Sequence, residues 1–375
     1  MTTHSPKSPS GWARMARCSA SYALQRWAPP EAPSKYAAEG TALHEAHADV
    51  VAGRSSKCLT APQQELVAAV VAAFDDRRGQ LAYSVELRLD LSDALGGGES
   101  GTADFVILDA PAKTLVIADA KYGVARVEVE GNAQLMLYAY GALQAYDFAC
   151  NWEHVEMHIW QPRCDNFSST TTTVAELLAW VDAQREISKA LDALAAATHK
   201  PSDVPADAFS IGEHCRYCKA LAVCAAYHAK ARARLKRAAG AKKMTPSDLE
   251  EAYEDAILLS AWADGVKTAM VQHLASGGVS AKWKLVAGRA GASKYYDPDK
   301  VLAHVQAGLM PKMLLAPPTL RTPIQAMAAG WQPSPQEEKE LTYRAQCSPS
   351  IVPVGDKRPA LVSGTLVSNF FDHEN

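Results

Sequence analysis

The stretch from Gly101 to Gly123, "GTADFVILDAPAKTLVIADAKYG", limits the possible folds more than any other part of the chain. Two apolar arms rich in β-branched residues flank the turn "DAPAKT", which is the pattern of a β-hairpin. With the turn centred between Pro111 and Ala112, Asp104 stands opposite Asp119. Opposed side chains in an antiparallel pair have Cβ atoms about 4.5–5.5 Å apart, and like charges there repel. Lys121, two residues beyond Asp119, projects on the same side of its strand, so two carboxylates and an amine converge. Two readings account for this. One is a solvated hairpin with a surface Asp–Lys pair; the other is a divalent-cation site in which the ion offsets the repulsion.

The flanking segments give the hairpin its setting. Residues 11–27 ("GWARMARCSASYALQRW") read as a short helix carrying Cys18, and 37–52 and 61–78 as two more helices. In "YSVELRLDL" the residues Tyr83, Val85, Leu87, Leu89 and Leu91 are apolar while Ser84, Glu86, Arg88 and Asp90 are polar, which is strand alternation with Glu86 on the polar face. After the hairpin, 132–147 reads as a helix, "HVEMHIWQP" and "STTTTV" as strands, and "AELLAWVDAQREISKALDALAAA" as a long helix. This order predicts an α/β fold: a mixed central sheet flanked by helices, with one crossover helix after the hairpin. The expected organisation is a polar tail over 1–10, a core over 11–230, a basic linker or helix over 231–244, and a mostly helical unit over 245–375 whose role the residues do not indicate.

A 375-residue chain that is 48% hydrophobic and 21% charged suits two or three globular units. The net charge of -3 excludes a polycation, so any nucleic-acid surface is local. No apolar run is long enough to span a membrane, and the N-terminal "MTTHSPKSPSGWARM" lacks the apolar core of a secretion signal. The expectation is a cytosolic protein with no membrane partner. There, its eight cysteines are free thiols or metal ligands in preference to disulfides.

Gln134 and Tyr138 share one helical face in the element that follows Lys121. With these residues the chain resembles the PD-(D/E)xK nuclease superfamily in its RecB-like branch, over about residues 10–230. "GTAD", then "DAK", then "QLMLY", with an upstream "EGTALHE", are four motifs in the family's order. The resemblance implies a restriction-endonuclease-like core and a metal-dependent DNA nuclease. In it Asp104, Asp119 and Lys121 are catalytic, with Gln134 and Tyr138 as the helical motif, and Glu86 takes the place of an acid some members carry on the preceding strand. His44, Asp104 and Asp119 are then the ligands of Mg²⁺ or Mn²⁺. His47, three residues on, is an alternative to His44. Tyr138 is also placed against the strand or the DNA. Glu39 and Glu45 read as ordinary helix acids.

"HCRYCKALAVC" sets Cys215, Cys218 and Cys224 in a C-x2-C-x5-C run, a spacing of metal or cluster ligation. A fourth ligand is missing locally, and Cys18, Cys58, Cys150, Cys164 and Cys347 are available. The resemblance selects Cys18 and implies a [4Fe-4S] cluster clasping the two ends of the core. A zinc site of four thiolates, or of three thiolates with His214 or His228, is the chemical alternative. Just beyond lies "AKARARLKRAAGAKK", where Lys230, Arg232, Arg234, Lys236, Arg237, Lys242 and Lys243 form either a solvated helix face or a phosphate-tracking surface.

The whole-chain pattern, including "KWKLVAGR" and "VPVGDKRPALV", resembles an uncharacterised phage and prophage family met near replication genes. The resemblance implies an exonuclease acting on DNA ends or single strands, in the bacterial host cytosol, with DNA and phage replication or recombination proteins as partners. Two rivals stand beside it: a DNA-binding or replication-partner module of the same fold without catalysis, and a zinc-stabilised interaction protein.

Overall fold

Helix caps and apolar faces set most of the elements. The computed structural model describes residues 6–28, 35–54, 59–240, 246–287, 290–316, 319–346 and 350–353, with 355 and 359. The chain forms two compact units, Met1–Gly265 and Val266–Asn375.

In the first unit, α1 (Pro9–Arg17) and α2 (Ser19–Leu24) are separated at Cys18, whose extended backbone breaks what the sequence suggests is one helix. Helices α3 (Lys35–Val51) and α4 (Ala61–Arg78) follow, and α4 starts at a capping box of Thr60 with Gln63. Strand β1 (Ala82–Asp90) leads through the single turn α5 (Ser92–Leu95) into β2 (Ser100–Asp109) and β3 (Thr114–Ala120). Helix α6 (Ala133–Ala145), capped by the Asn132 side chain, crosses to β4 (His154–Gln161). Strand β5 (Asn166–Thr173) then enters α7 (Val174–Ala197), again through a capping box, Thr173 with Glu176. Helices α8 (Ala225–Gly240) and α9 (Pro246–Ala275) follow, and the first unit ends within α9 at Gly265.

The five strands lie in the order β1-β2-β3-β4-β5. All neighbours are antiparallel except β3 and β4, whose parallel pairing is what the α6 crossover requires. This is the mixed, helix-flanked sheet the patterns predict. One face packs under α1, α6 and α7 through Trp12, Val106, Leu115, Ile117, Leu135 and Val181. The opposite face packs under α3 and α4 through Leu43, Val70, Phe74, Phe105 and Trp160. Helix α6 comes so close to β1 that a Cβ on Gly141 would lie 2.9 Å from Leu89 Cβ.

On the α4 face, Arg77 Nη2 meets Glu156 Oε2 at 2.6 Å and Asp109 Oδ2 at 3.4 Å, tying α4 to β4 and the hairpin turn. Described alone, the second unit has a core of Tyr295, Val301, Val305, Leu314, Ala326 and Trp331. Beside its helices it pairs Trp283–Val286 with Ser350–Pro353, and Ala290–Tyr295 with Thr342–Gln346. Only a strand over "AKWKLVAGR" is expected there from the sequence.

Two outcomes follow. Gly141→Ala forces α6 away from β1 and lowers stability by about 1–3 kcal/mol, read as a lower urea midpoint. Glu156 is held at about 2 by the His158 hydrogen bond and then by Arg77, against the opposing effect of burial. Its folded pKa lies below the ordinary 4.5, so its contribution is full above that value and is lost as pH falls toward 2. Glu156→Gln therefore costs on the order of 1–2 kcal/mol at neutral pH and flattens the acid side of the stability–pH curve.

Candidate active site

Three neighbouring strands bring one acid each to the same level of the sheet. β1 and β2 pair from Ala82↔Leu108 to Val85↔Phe105, and again from Leu87↔Ala103 to Asp90↔Ser100, but skip Glu86 and Asp104 between these runs. Glu86 takes φ +51°, a conformation that costs an L residue roughly 1–3 kcal/mol. The strands change face here. Val85 and Phe105 belong to the core under α3 and α4, whereas Leu87 and Ala103 belong to that under α6 and α7. The single apolar face expected for residues 83–91 is thus divided at Glu86. On the other side, β2 and β3 pair in the register expected from the turn, with Phe105 opposite Ala118, and the ladder stops where Asp104 and Asp119 come next. Asp104 Oδ2 accepts a hydrogen bond from Ala120 N at 2.7 Å.

The change of face opens the acid row to both helical layers. From α3, His44 Nδ1 lies 3.2 Å from Asp104 Oδ1 and 3.8 Å from Glu86 Oε1. His47 Nε2 lies 3.4 Å from Glu86 Oε1, and its Nδ1 is 3.0 Å from the Tyr122 hydroxyl. From the hairpin, Lys121 Nζ lies 2.6 Å from Asp119 Oδ2. From α6, the Gln134 amide makes three bonds: Oε1 accepts from Lys121 Nζ at 3.1 Å, and Nε2 donates to Asp119 Oδ1 at 3.2 Å and to the Tyr138 hydroxyl at 3.1 Å. The Tyr138 ring rests on Gly101, where a Cβ would come within 2.7 Å of it. Tyr138 is buried. Its hydroxyl accepts from Gln134 within the fold.

Asp119 is 2% exposed and Asp104 6%, so their charges face each other with little water. Burial pushes the Asp119 carboxyl up, Lys121 pulls it back and Asp104 pushes it up again; the net direction is up. For Lys121, burial favours the neutral amine, but Asp119 and Asp104 outweigh it and raise its pKa. Burial likewise favours neutral His44, yet Asp104, Glu86 and Asp119 together hold it up at about 10. Burial raises Glu86, and the two imidazoles overcome this to hold it at about 2. The hydroxyls of Tyr138 and Tyr122 are pushed up by burial first and by neighbouring carboxylates second, and stay protonated.

The donors here, carboxylate oxygens and imidazole nitrogens, suit a divalent cation of the Mg²⁺ or Mn²⁺ class. Buried His47 Nε2 makes no aligned hydrogen bond and faces the Glu86 carboxylate, a placement open to a shared cation. His44, His47 and Glu86 are, among the described residues, the one group of three such side chains whose ligand atoms all lie within 4.8 Å of one another. The His47–Tyr122 pair is what sequence reasoning missed. The signal for it was the "HEAH" spacing, which puts both imidazoles on one side of α3.

The cysteines are placed less tightly. The break at Cys18 turns its sulfur to accept from Ser210 N at 3.4 Å, and Cys215 Sγ lies 3.9 Å from Ser210 O. Arg14 Nη1 approaches Cys218 Sγ at 3.6 Å, and Tyr227 N donates to Cys224 Sγ at 3.4 Å. Among the described residues, no three of these sulfurs, with or without His214 or His228, come within 4.8 Å of one another. Burial pushes Cys224 up to about 11, and Cys218, Cys18 and Cys215 push the same way. Cys150 and Cys164 lie elsewhere, their sulfurs against Ala110 O and Val124 O; Cys58 and Cys347 fall outside the described residues. On α8, Lys230 is half-buried and Arg232 and Lys236 are exposed, whereas Arg234 pairs with Asp255 Oδ1 at 3.1 Å. The side chain of Arg237, with Lys242 and Lys243, lies outside the described residues.

Residues 58–359 match the family described as "Protein of unknown function (DUF2800)". The chain belongs to this family. The family match takes in Glu86, Asp104, Asp119, Lys121 and Gln134, and begins after Cys18, His44 and His47. Among solved structures, that of SSO0001 is 14% identical over 56% of this chain and 95% of its own, with a TM-score of 0.25. An alkaline exonuclease (LHK-Exo) from Laribacter hongkongensis is 14% identical over 49% of this chain and 92% of its own, with a TM-score of 0.23. Likenesses at that level carry no functional weight. No described helix is long and apolar enough to cross a membrane.

Gly101→Ala drives the Tyr138 ring off β2 and takes its hydroxyl from Gln134. The expected cost is about 1–3 kcal/mol, with an altered near-ultraviolet tyrosine signal, whereas Tyr138→Phe keeps the packing and costs about 1 kcal/mol.

Proposed function

We propose that this chain is a metal-dependent nuclease hydrolysing DNA phosphodiester bonds. The observation that carries the reading is the row Glu86, Asp104, Asp119 across three adjacent strands, ended by the Lys121 ammonium 2.6 Å from Asp119. Asp104 and Asp119 would hold the ion, and His44 would complete its ligand set from the Asp104 side. When bound, a divalent cation there polarises a phosphate oxygen and lowers the pKa of an attacking water. Lys121, 26% exposed, reaches the open side of the site and orients that water or neutralises charge on the phosphate. Gln134 keeps the amine and Asp119 in register through one amide. Glu86, ionised down to about pH 2, adds the third negative charge. Arg232 and Lys236, one helical turn apart and exposed on α8, are the backbone-tracking cations; Lys230 lends support from its half-buried position. Action on DNA ends or single strands, and a setting in phage replication or recombination, rest on the sequence resemblance alone.

Cys18, Cys215, Cys218 and Cys224 are read as the ligands of a [4Fe-4S] cluster. The C-x2-C-x5-C run and the resemblance support this reading, and a zinc site of four thiolates is the chemical alternative. A multi-iron cluster spans a wider set of thiolates. It joins α1 and α2 to the segment before α8, as a cross-link closing a long loop would.

With labelled single- and double-stranded DNA and Mg²⁺ or Mn²⁺, wild-type protein releases nucleotides, and Asp119→Ala and Lys121→Ala each slow release about 100-fold or more with unchanged circular dichroism. No release from any DNA with either ion refutes the nuclease reading in favour of a DNA-binding module. Anaerobic purification gives brown protein containing about four irons per chain if the thiols hold the cluster. Cys224→Ser loses colour and thermal stability together, and colourless wild-type protein containing zinc overturns the assignment.

A further inference from the structure

The acid row offers two chemically different places for an ion. Asp104 and Asp119 supply oxygen alone, whereas Glu86 on the other side of Asp104 is met by two imidazoles. We propose that His44, His47 and Glu86 form a second cation seat, nitrogen-rich and suited to Mn²⁺, beside the Asp104–Asp119 seat. This deepens the nuclease reading by giving the site a second ion and rests on it for the first.

Four observations carry it. The ligand atoms of the three side chains all lie within 4.8 Å of one another. Two atoms each about 2.1 Å from a shared ion stand between about 3 Å and about 4.2 Å apart, depending on their angle. The pairs His47 Nε2–Glu86 Oε1 at 3.4 Å and His44 Nδ1–Glu86 Oε1 at 3.8 Å fall in that interval. His47 is 0% exposed, and its Nε2 faces Glu86 Oε1 at 3.4 Å without making an aligned hydrogen bond. An ordinary core histidine has both ring nitrogens bonded. Its other nitrogen, Nδ1, sits 3.0 Å from the Tyr122 hydroxyl, the outer contact that fixes the ring and leaves Nε2 as the ligand atom. Finally, Glu86 holds φ +51° in the middle of a strand, where the ladder skips it. That strained backbone delivers its carboxylate to α3.

With both seats filled, His44 serves the nitrogen-rich one, and the ion on Asp104 and Asp119 completes its shell with water and phosphate oxygens. Imidazole donors favour Mn²⁺ over Mg²⁺, so the two ions differ in how readily Mg²⁺ displaces them.

The test is metal binding by the full-length chain without DNA. Equilibrium dialysis with Mn²⁺ and metal analysis gives two ions per wild-type chain, and pulsed electron paramagnetic resonance shows imidazole nitrogen coupling on one of them. His47→Gln and Glu86→Gln each reduce the count to one and abolish the nitrogen coupling. Asp119→Asn also reduces it to one but keeps the coupling, and Mg²⁺ competes out the uncoupled ion first. Because His47 is buried, Glu86→Gln, with a melting curve matching wild type, keeps the test valid if His47→Gln fails to fold. One ion per wild-type chain overturns the proposal, as does a count of two that neither His47→Gln nor Glu86→Gln lowers. The nuclease assay separates this inference from the reading it rests on. Two ions without cleavage refute that reading and leave the second seat standing, while cleavage with one ion does the reverse.

Discussion

Three carboxylates side by side across β1, β2 and β3 are the constraint around which the first unit is arranged. In an uninterrupted sheet these positions share one face and their charges repel at short range. Here the ladder between β1 and β2 gives way at that level, Glu86 adopts a left-handed backbone, and both strands pass from one hydrophobic core to the other. The acids therefore sit at a seam between the two faces. Without the seam, α3 could reach only one side of the sheet and α6 only the other. With it, imidazoles from one layer and an amide from the other meet on a single row of oxygens.

Holding that seam requires rigid support, and the support comes from close backbone approach. Gly141 lets α6 press on Leu89 and Leu91, and Gly101 lets Tyr138 lie on β2. Both contacts fix the axial position of α6, and hence where the Gln134 amide meets Asp119 and Lys121. The N-terminal arm braces the same layer: Lys7 N donates to Glu99, its Nζ reaches Ser188 and Asp192, and Trp12 Nε1 donates to Gln184 at 2.8 Å. A residue such as Gln134 is useful only if its three bonds are made together, because an amide half satisfied in a buried network is costly.

Much of this was legible in the sequence, for identifiable reasons. The hairpin register follows from turn position alone, since a period of two leaves no freedom once the turn is set. The crossover of α6 follows from the order of periodicities. What was not legible depends on three-dimensional accommodation. The break of the first helix at Cys18 is invisible because "RMARCSASYAL" is helical in composition throughout, and the contacts that turn the thiol toward Ala208 and Ser210 come from residues nearly two hundred positions away. The face change at Glu86 is hidden for the opposite reason: the alternation of β1 is perfect in sequence, and only the acids opposite reveal that one residue must leave the pattern. Tyr138 shares a helical face with Gln134 in either reading, and only the glycine under its ring decides that it faces inward.

The division of labour along the chain has a consequence for how the site forms. Asp104, Asp119, Lys121 and Gln134 lie within about thirty residues and are assembled by one hairpin and the helix after it, so local pairing brings them together. His44 and His47 come from a helix that must dock on the far face through Leu43, Phe74 and Phe105. Until it docks, the acid row has Lys121 as its sole close cation among these residues, and the repulsion between Asp104 and Asp119 opposes completion of the ladder between their strands. Docking of α3 sets the His44 imidazole 3.2 Å from Asp104, a polar partner for that carboxylate, so the helix that supplies the imidazoles also stabilises the hairpin it acts with. Assembly of the site and closure of the second hydrophobic layer are, on this account, one cooperative step.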